Sequence, residues 1–276
     1  MNTSGKLTLN LAIVTHKEDG IKRVVDMNLP HVDGVRYIVS WQSSEGVKLP
    51  EALYREDMEI IRTDSKGVAR NRNNAVSRCK ADIILHADDD LRYTPEQLLS
   101  VIATFEQHPE VDLAAFRYDG ESNLIFPKEE CDLTELPKGG FSYTNFTLAV
   151  RRSAILGKVY FDTRLGIGAE YTGCGEEDFY LYQARKLGLN CRFFPITITT
   201  HRGLTTGFRK ITDIRILRGF GAIIRVEFPK TALLRIALKT WRMFRSGQCR
   251  NPFFALKGML QGWAFGAQLL KGVCHE

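Results

Sequence analysis

Between residues 9 and 107 the chain alternates two patterns, and that alternation constrains its fold more than any other feature. Short runs rich in branched apolar residues, LNLAIVT (9–15), VRYIVSW (35–41), EIIRT (59–63) and ADIILHA (81–87), read as strands of a buried sheet. Between them lie polar stretches of helical character. IKRVVDMNL is one, and VARNRNNAVSRCKA, which follows Gly67, is another, with Ala69, Ala75, Val76 and Cys79 available for a buried face. Strands and helices alternating at this length imply right-handed βαβ units and a mainly parallel sheet. The next helix is announced by Thr94-Pro95-Glu96-Gln97. Thr94 can cap, Pro95 suits the first helical position and Gln97 completes a capping box, with Leu98, Leu99, Ile102 and Phe105 as the apolar face. VDLAAFRY (111–118) is a further strand. A loop-rich section (119–150) with short β-like pieces such as NFTLAVR follows, and then the Gly-rich stretch GIGAEYTGCGEED (166–178). It leads into a helix, DFYLYQARKL, which Gly188 should end, and CRFFPITITTH (191–201) is the final strand.

Composition sets the bounds. With 276 residues, 44% apolar and 25% charged, the chain can form one large α/β domain with an appendage. The start, MNTSGKLTLNLAIVTH, has no continuous apolar core before a small-residue cleavage site, so it reads as the beginning of a strand and not as a secretory signal. No run of about 18 uninterrupted apolar residues suggests a membrane span. The six cysteines are scattered without a C-x-x-C pair, which argues against zinc and for reduced thiols in the cytoplasm. Charge is divided unevenly. Residues 1–200 carry 24 Lys/Arg and 29 Asp/Glu, whereas residues 201–276 carry 14 Lys/Arg and 3 Asp/Glu. An acidic body with a basic tail suggests two tasks in one chain.

The fourth apolar run ends in Asp88-Asp89-Asp90. In open α/β sheets ligands bind beyond the carboxyl ends of the strands, and this triplet lies at such an end. Three adjacent carboxylates are costly to hold together unless a cation neutralises them. Alternation along an extended backbone puts Asp88 and Asp90 on one side and Asp89 on the other, so one pair can face Mg²⁺ or Mn²⁺, which favour oxygen ligands. Taken alone, the triplet could equally be a solvated acidic turn.

Its surroundings read KGVARNRNNAVSRCKADIILHADDD (66–90), then LRYTP. This order resembles family 2 glycosyltransferases, whose motifs run G-x-x-x-x-R-N, A-D-I-I, D-x-D and a proline a few residues on. Gly67, Arg72 and Asn73 match the first, Ala81-Asp82-Ile83-Ile84 the second, and Asp88 with Asp90 the third. The resemblance spans residues 9–205 in motif order and is most specific over 66–95. It implies a GT-A fold, a nucleotide-diphosphate sugar donor, a Mn²⁺ or Mg²⁺ cofactor and an inverting course. It also implies Asp88 near the donor ribose and on the metal, Asp90 as the principal metal ligand, and Asp89 orienting the pair or binding through water. Arg72, with Arg70 as a lesser candidate, would reach the nucleobase or diphosphate, which a rigid guanidinium fork suits. Thr15, at the end of the first strand, keeps its place in the nucleotide pocket. The second strand departs from the family: where an acid is usual the chain reads VSWQSS, so Ser40, Gln42 or Ser43 must substitute.

The family also carries a G-E-D-like motif whose second acid takes the acceptor proton. Here Gly173-Cys174-Gly175-Glu176-Glu177-Asp178 stands in that place. Matching the letters favours Asp178 as the base and counting back from Gly188 favours Glu177. Acids in a first helical turn also complement the helix dipole without any catalytic role. His201 matches the late histidine that serves some members as a metal ligand, although a lone histidine at a strand end is as readily structural. His86 reads as structural.

The expected division is therefore a catalytic domain over 1–205 and a basic, amphipathic helical region over 206–276. TALLRIALKTWRMF places Leu234, Ala237, Leu238, Trp241 and Phe244 on one stripe with Arg235, Lys239, Arg242 and Arg245 interleaved. FFALKGMLQGWAFGAQLL looks apolar but broken by Lys257, Gln261 and glycines. Such a region either packs on the catalytic domain or lies on anionic lipid. The acceptor expected is a glycan or lipid-linked hydroxyl, the location cytoplasmic with a peripheral position on the membrane face, and no nucleic-acid partner is expected. The competing functions are a sugar nucleotidyltransferase, for which THKEDGIKR is a poor phosphate loop, and a non-enzymatic cation-binding module at a membrane surface.

Overall fold

The computed structural model describes residues 6–120, 125–137, 141, 143–202 and 211–275. Contacts divide the chain into two compact units that are interleaved in sequence. One comprises Met1–Ser65, Asn71–Val159 and Ala184–Gly203, and the other Lys66–Arg70, Tyr160–Gln183 and Leu204–Glu276. The boundary expected at 205/206 falls outside the described residues.

The first unit is built on a nine-stranded sheet. β1 (Leu9–His16) pairs in parallel with β2 (Val35–Gln42) and β4 (Ile83–Asp88), and β3 (Met58–Thr63) extends β2 in parallel. Beyond β4 the order continues through β8 (Leu148–Arg151), β6 (Leu113–Gly120), β9 (Cys191–His201) and β5 (Leu91–Arg92), with β7 (Cys131–Asp132) also on β9. β8 runs antiparallel between β4 and β6, while β6 and β9 are parallel. Six strands therefore point the same way, and their carboxyl ends share one edge. The stretch NFTLAVR is a strand only in its second half, since Asn145–Thr147 form a 3-10 turn, and the short helix α4 (Arg152–Ile155) follows it.

Burial follows the sequence pattern. β1 is buried at every position but its last, and Trp41 and Tyr37 of β2 are fully enclosed. Two helices cover this core, α1 (Lys17–Asp26) through Ile21 and Val24, and α3 (Pro95–Gln107) through Leu98, Val101, Ile102 and Phe105. Thr94 and Gln97 form the expected capping box. Leu99 is not part of the buried face but is exposed. It sits 100° off the 98–102–105 stripe, and Val101 takes the inner position. All six cysteines are free thiols.

In the second unit three helices, α6 (Ile214–Glu227), α7 (Ala232–Arg245) and α8 (Pro252–Leu269), share a core that includes Leu217, Ile236, Met243 and Met259. The glycines of the last segment do not break α8. A Cβ on Gly258 would lie 2.6 Å from Leu217 Cβ, one on Gly262 would overlap the Arg218 carbonyl, and one on Gly266 would lie 2.8 Å from the Ala222 carbonyl. These glycines, four residues apart, form the seam along which α8 packs tightly on α6, and that close approach offsets their poor helix propensity. Among the described residues no helix is long and apolar enough to cross a membrane.

Candidate active site

The carboxyl edge of the sheet gathers His16, Gln42 and Thr63 in register, with Asp88 opposite Val14 on β1. β4 ends at Asp88, and Asp89 and Asp90 form a turn before β5. Strand alternation therefore does not extend through the triplet. What separates the three carboxylates is that each meets a different partner.

Asp89 turns inward and is buried. Arg23 of α1 grips it with a two-pronged contact, Nε to Oδ1 at 2.9 Å and Nη2 to Oδ2 at 2.9 Å, and the Thr15 hydroxyl donates to Oδ2 at 2.6 Å. Paired, fork-like hydrogen bonds of this kind are among the strongest a side chain makes. Room for them comes from Gly20, where a Cβ would overlap the Thr15 hydroxyl oxygen and approach Asp89 Oδ2 to 3.0 Å. The Thr15 carbonyl accepts from Asn71 Nδ2 at 3.0 Å. Thr15 is thus a brace for the triplet.

Asp88 pairs with Arg72, whose Nη2 donates to Oδ1 at 3.1 Å. Arg72 lies on α2 (Val68–Arg78) and is buried, so it is not a surface charge, whereas Arg70 is exposed. Burial lifts the Asp88 carboxyl above its usual range, against the pull of the Arg72 guanidinium. Asp90 is the most open of the three, with 47% of its side chain exposed, and its Oδ2 lies 3.4 Å from His201 Nε2. The short β5 makes this contact by pairing Leu91 with His201 at the end of β9. Burial acts to raise the Asp90 carboxyl, but the His201 hydrogen bond and charge outweigh it and hold the group below its usual value. The His201 ring is enclosed by Phe146 and Tyr118, with centroids at 5.3 and 6.2 Å.

The remaining donor-side candidates are more dispersed. Ser40 is fully buried and its hydroxyl accepts from Asn74 Nδ2 at 2.7 Å, while Gln42 Nε2 donates to the Ser65 hydroxyl at 2.9 Å. Asn73 is half-buried on α2. Lys17 and Ser43, just beyond β1 and β2, hold left-handed backbones with φ of 62° and 52°, a strain that collects at functional edges. His86 is buried within β4, and burial foremost, then the Arg72 charge, lowers its pKa to about 3.

In the second unit, Gly67 (φ +95°) and Gly168 (φ +88°) meet backbone to backbone, next to a hydrogen bond from the Val68 amide to the Ile167 carbonyl at 2.9 Å. Gly67 is glycine for its left-handed backbone, and Gly168 for packing as well, since a Cβ there would lie 2.8 Å from Gly67 Cα. Packing also accounts for Gly173 and Gly175, where a Cβ would press on Ile216 and Ile223 of α6. Glu176, Glu177 and Asp178 form the first turn of α5 (Glu176–Lys186), with Glu176 buried and the other two half-exposed. The Phe179 amide bonds the Gly175 carbonyl at 3.0 Å, and Gly188 ends the helix in a left-handed turn (φ +72°) as expected. Sequence reasoning missed Arg23, Asn71 and Asn74. The one available signal for Arg23 was a glycine inside a helix, at position 20.

A mostly parallel sheet flanked by helices, with acidic groups at its carboxyl edge, is the GT-A arrangement. Residues 44–159 match the family model described as glycosyl transferase family 2. Crystal structures of S. aureus TarS share the fold. TarS 1–349 in complex with UDP-GlcNAc has a TM-score of 0.54 at 14% identity, covering 87% of this chain and 73% of that one. TarS 1–349 has a TM-score of 0.56 at 12% identity, covering 96% and 91%. No curated protein matches the sequence.

Proposed function

We propose that the chain transfers a sugar from a nucleotide-diphosphate sugar to a hydroxyl of a glycan or lipid-linked acceptor, with a divalent metal and with inversion. The observation that carries this reading is the Asp90–His201 pair at the carboxyl edge, beside an Asp88 and an Asp89 already held by Arg72 and by Arg23 with Thr15. A carboxylate and an imidazole side by side suit Mn²⁺ or Mg²⁺, with Asp88 next in line. Among the described residues no three metal-binding groups converge, so water and the donor's own phosphates would complete the shell, which is the usual arrangement for such ions. When bound, the ion neutralises charge on the departing diphosphate. The complex of TarS with UDP-GlcNAc supports a nucleotide sugar as donor.

The chain's own residues supply the rest. Asp178 or Glu177 accepts the proton of the acceptor hydroxyl, whose oxygen bonds to the anomeric carbon as the bond from that carbon to the diphosphate oxygen breaks. One displacement inverts the anomeric centre and releases the nucleoside diphosphate. Thr15, Ser40, Gln42, Gly67, Arg72 and Asn73 are proposed on the donor side. The match to glycosyl transferase family 2 disfavours both the nucleotidyltransferase and the non-enzymatic alternatives.

Calorimetric titration of UDP with and without Mn²⁺ tests the metal. Asp90→Asn and His201→Gln should each abolish the Mn²⁺-dependent gain in affinity while leaving the fold intact. An undiminished gain in both refutes the assignment. For the base, Asp178→Asn or Glu177→Gln should lower kcat by about 10²-fold or more with donor affinity retained. If neither changes kcat, the acids serve only the helix terminus.

A further inference from the structure

α7 turns its largest apolar side chains away from its own core. Ala232, Ile236, Thr240 and Met243 are buried and form the inner face. Leu234, Leu238, Trp241 and Phe244, on the outer face, are 63%, 46%, 57% and 49% exposed. At 3.6 residues per turn, Leu234, Leu238, Trp241 and Arg245 fall on one stripe, and Arg235, Lys239 and Arg242 on the adjoining one. The helix contains no acid. Arg235, Arg242 and Arg245 are exposed, whereas Lys239 is largely enclosed, and burial lowers its pKa against the pull of the Asp178 charge. Arg235 donates to the Thr231 hydroxyl at 3.0 Å and lies over Phe228 at 3.7 Å, Lys239 lies over Phe220 at 4.2 Å and Arg245 over Trp241 at 5.4 Å. Beside the apolar stripe a cavity of about 460 Å³ opens, lined by Phe228, Arg235, Leu238, Lys239 and Arg242 among others.

Contiguous exposed apolar surface marks an interaction site, and the charges beside it indicate with what. An ordinary apolar protein partner would strip water from Arg235 and Arg242 and leave them buried without counter-charge, which is costly. A phospholipid surface presents phosphate and hydrocarbon as adjacent layers, and the two stripes of α7 are adjacent in the same way. We infer that the outer face of α7 docks on an anionic phospholipid membrane, with Leu234, Leu238 and Trp241 entering the acyl boundary and Arg235 and Arg242 meeting headgroup phosphate at the cavity. This inference is independent of the donor and acceptor proposed above, and its test uses neither.

The full-length protein should co-sediment with vesicles of phosphatidylglycerol and phosphatidylcholine, less with phosphatidylcholine alone, and less at high salt. Each cation at an anionic surface strengthens binding about fivefold, so Arg235→Gln with Arg242→Gln should weaken association by roughly twenty- to thirtyfold. Leu234→Gln with Leu238→Gln should weaken it at least about tenfold, from the apolar area withdrawn. Both pairs are at the surface and should leave the melting temperature unchanged. Should either variant melt low, the wild type still decides the matter. Brominated lipid should quench its tryptophan emission, and Trp241→Phe should bind vesicles equally while losing most of that quenching. The inference is overturned by equal binding to neutral and anionic vesicles, by quenching that survives in Trp241→Phe, or by inorganic phosphate binding without any vesicle association. A dimer that forms through this face and leaves the vesicles unbound overturns it as well.

Discussion

Gly20 lies inside α1, where helix propensity alone says alanine should be better by about 0.8–1 kcal/mol. The structure reverses that sign. A Cβ at position 20 overlaps the Thr15 hydroxyl oxygen and comes within 3.0 Å of Asp89 Oδ2, so the hydroxyl must leave the 2.6 Å hydrogen bond it donates to Asp89. Losing a hydrogen bond to a buried carboxylate costs about 1.5–3 kcal/mol, and rearranging the crowded site adds about 1–3 kcal/mol. Against the propensity gain, Gly20→Ala should destabilise by about 1.5–5 kcal/mol. That corresponds to a fall in melting temperature of roughly 3–15 °C at about 2–3 °C per kcal/mol for a chain of this size. Urea and thermal unfolding of four proteins, wild type, Gly20→Ala, Thr15→Ala and the double variant, form a cycle. With the Thr15 hydroxyl gone, the added methyl has less to displace, so the Gly20→Ala penalty should shrink by at least about 1 kcal/mol in the Thr15→Ala background. A Gly20→Ala protein as stable as wild type, or strict additivity in the cycle, would show that the brace around Asp89 is not what the glycine protects.

Two further expectations concern stability. Gly168→Ala places a Cβ 2.8 Å from Gly67 Cα on a left-handed backbone (φ +88°) and should cost about 2–4 kcal/mol. Gly157→Ala has the same handedness (φ +74°) but open space around it, so it should cost only about 1–2 kcal/mol, and equal losses would refute the close-approach argument. Asp57 is held below the usual carboxylate range, first by the Arg55 hydrogen bonds at 2.8 and 2.6 Å. A depressed folded pKa contributes stability that is complete above the unfolded value of about 3.9 and is lost as pH falls through the lower folded value. The stability gap between wild type and Asp57→Asn should therefore be widest near neutrality and close in acid, and a gap independent of pH refutes the linkage.

Much of this protein was decided locally. Apolar runs set β1, β2, β3, β4 and β9 nearly to the residue, because short runs rich in branched and aromatic residues between polar stretches mark strands whether one face is buried or both. The Thr94–Gln97 box and Gly188 marked helix ends through bonds that span only a few residues. The triplet's position at a carboxyl edge was likewise legible, and so was the family motif around it. Tertiary structure decided the partner of each aspartate. Arg23, Arg72 and His201 come from three separate elements, and nothing in their own neighbourhoods says which carboxylate each will meet. It also turned apparent helix breakers at Gly258, Gly262 and Gly266 into a packing seam, since their value lies in what approaches them. And it settled which side of α7 faces out. Periodicity identified two faces on that helix, but only packing against α6 and α8 chose Ile236 and Met243 for the core and left Leu234, Leu238 and Trp241 exposed.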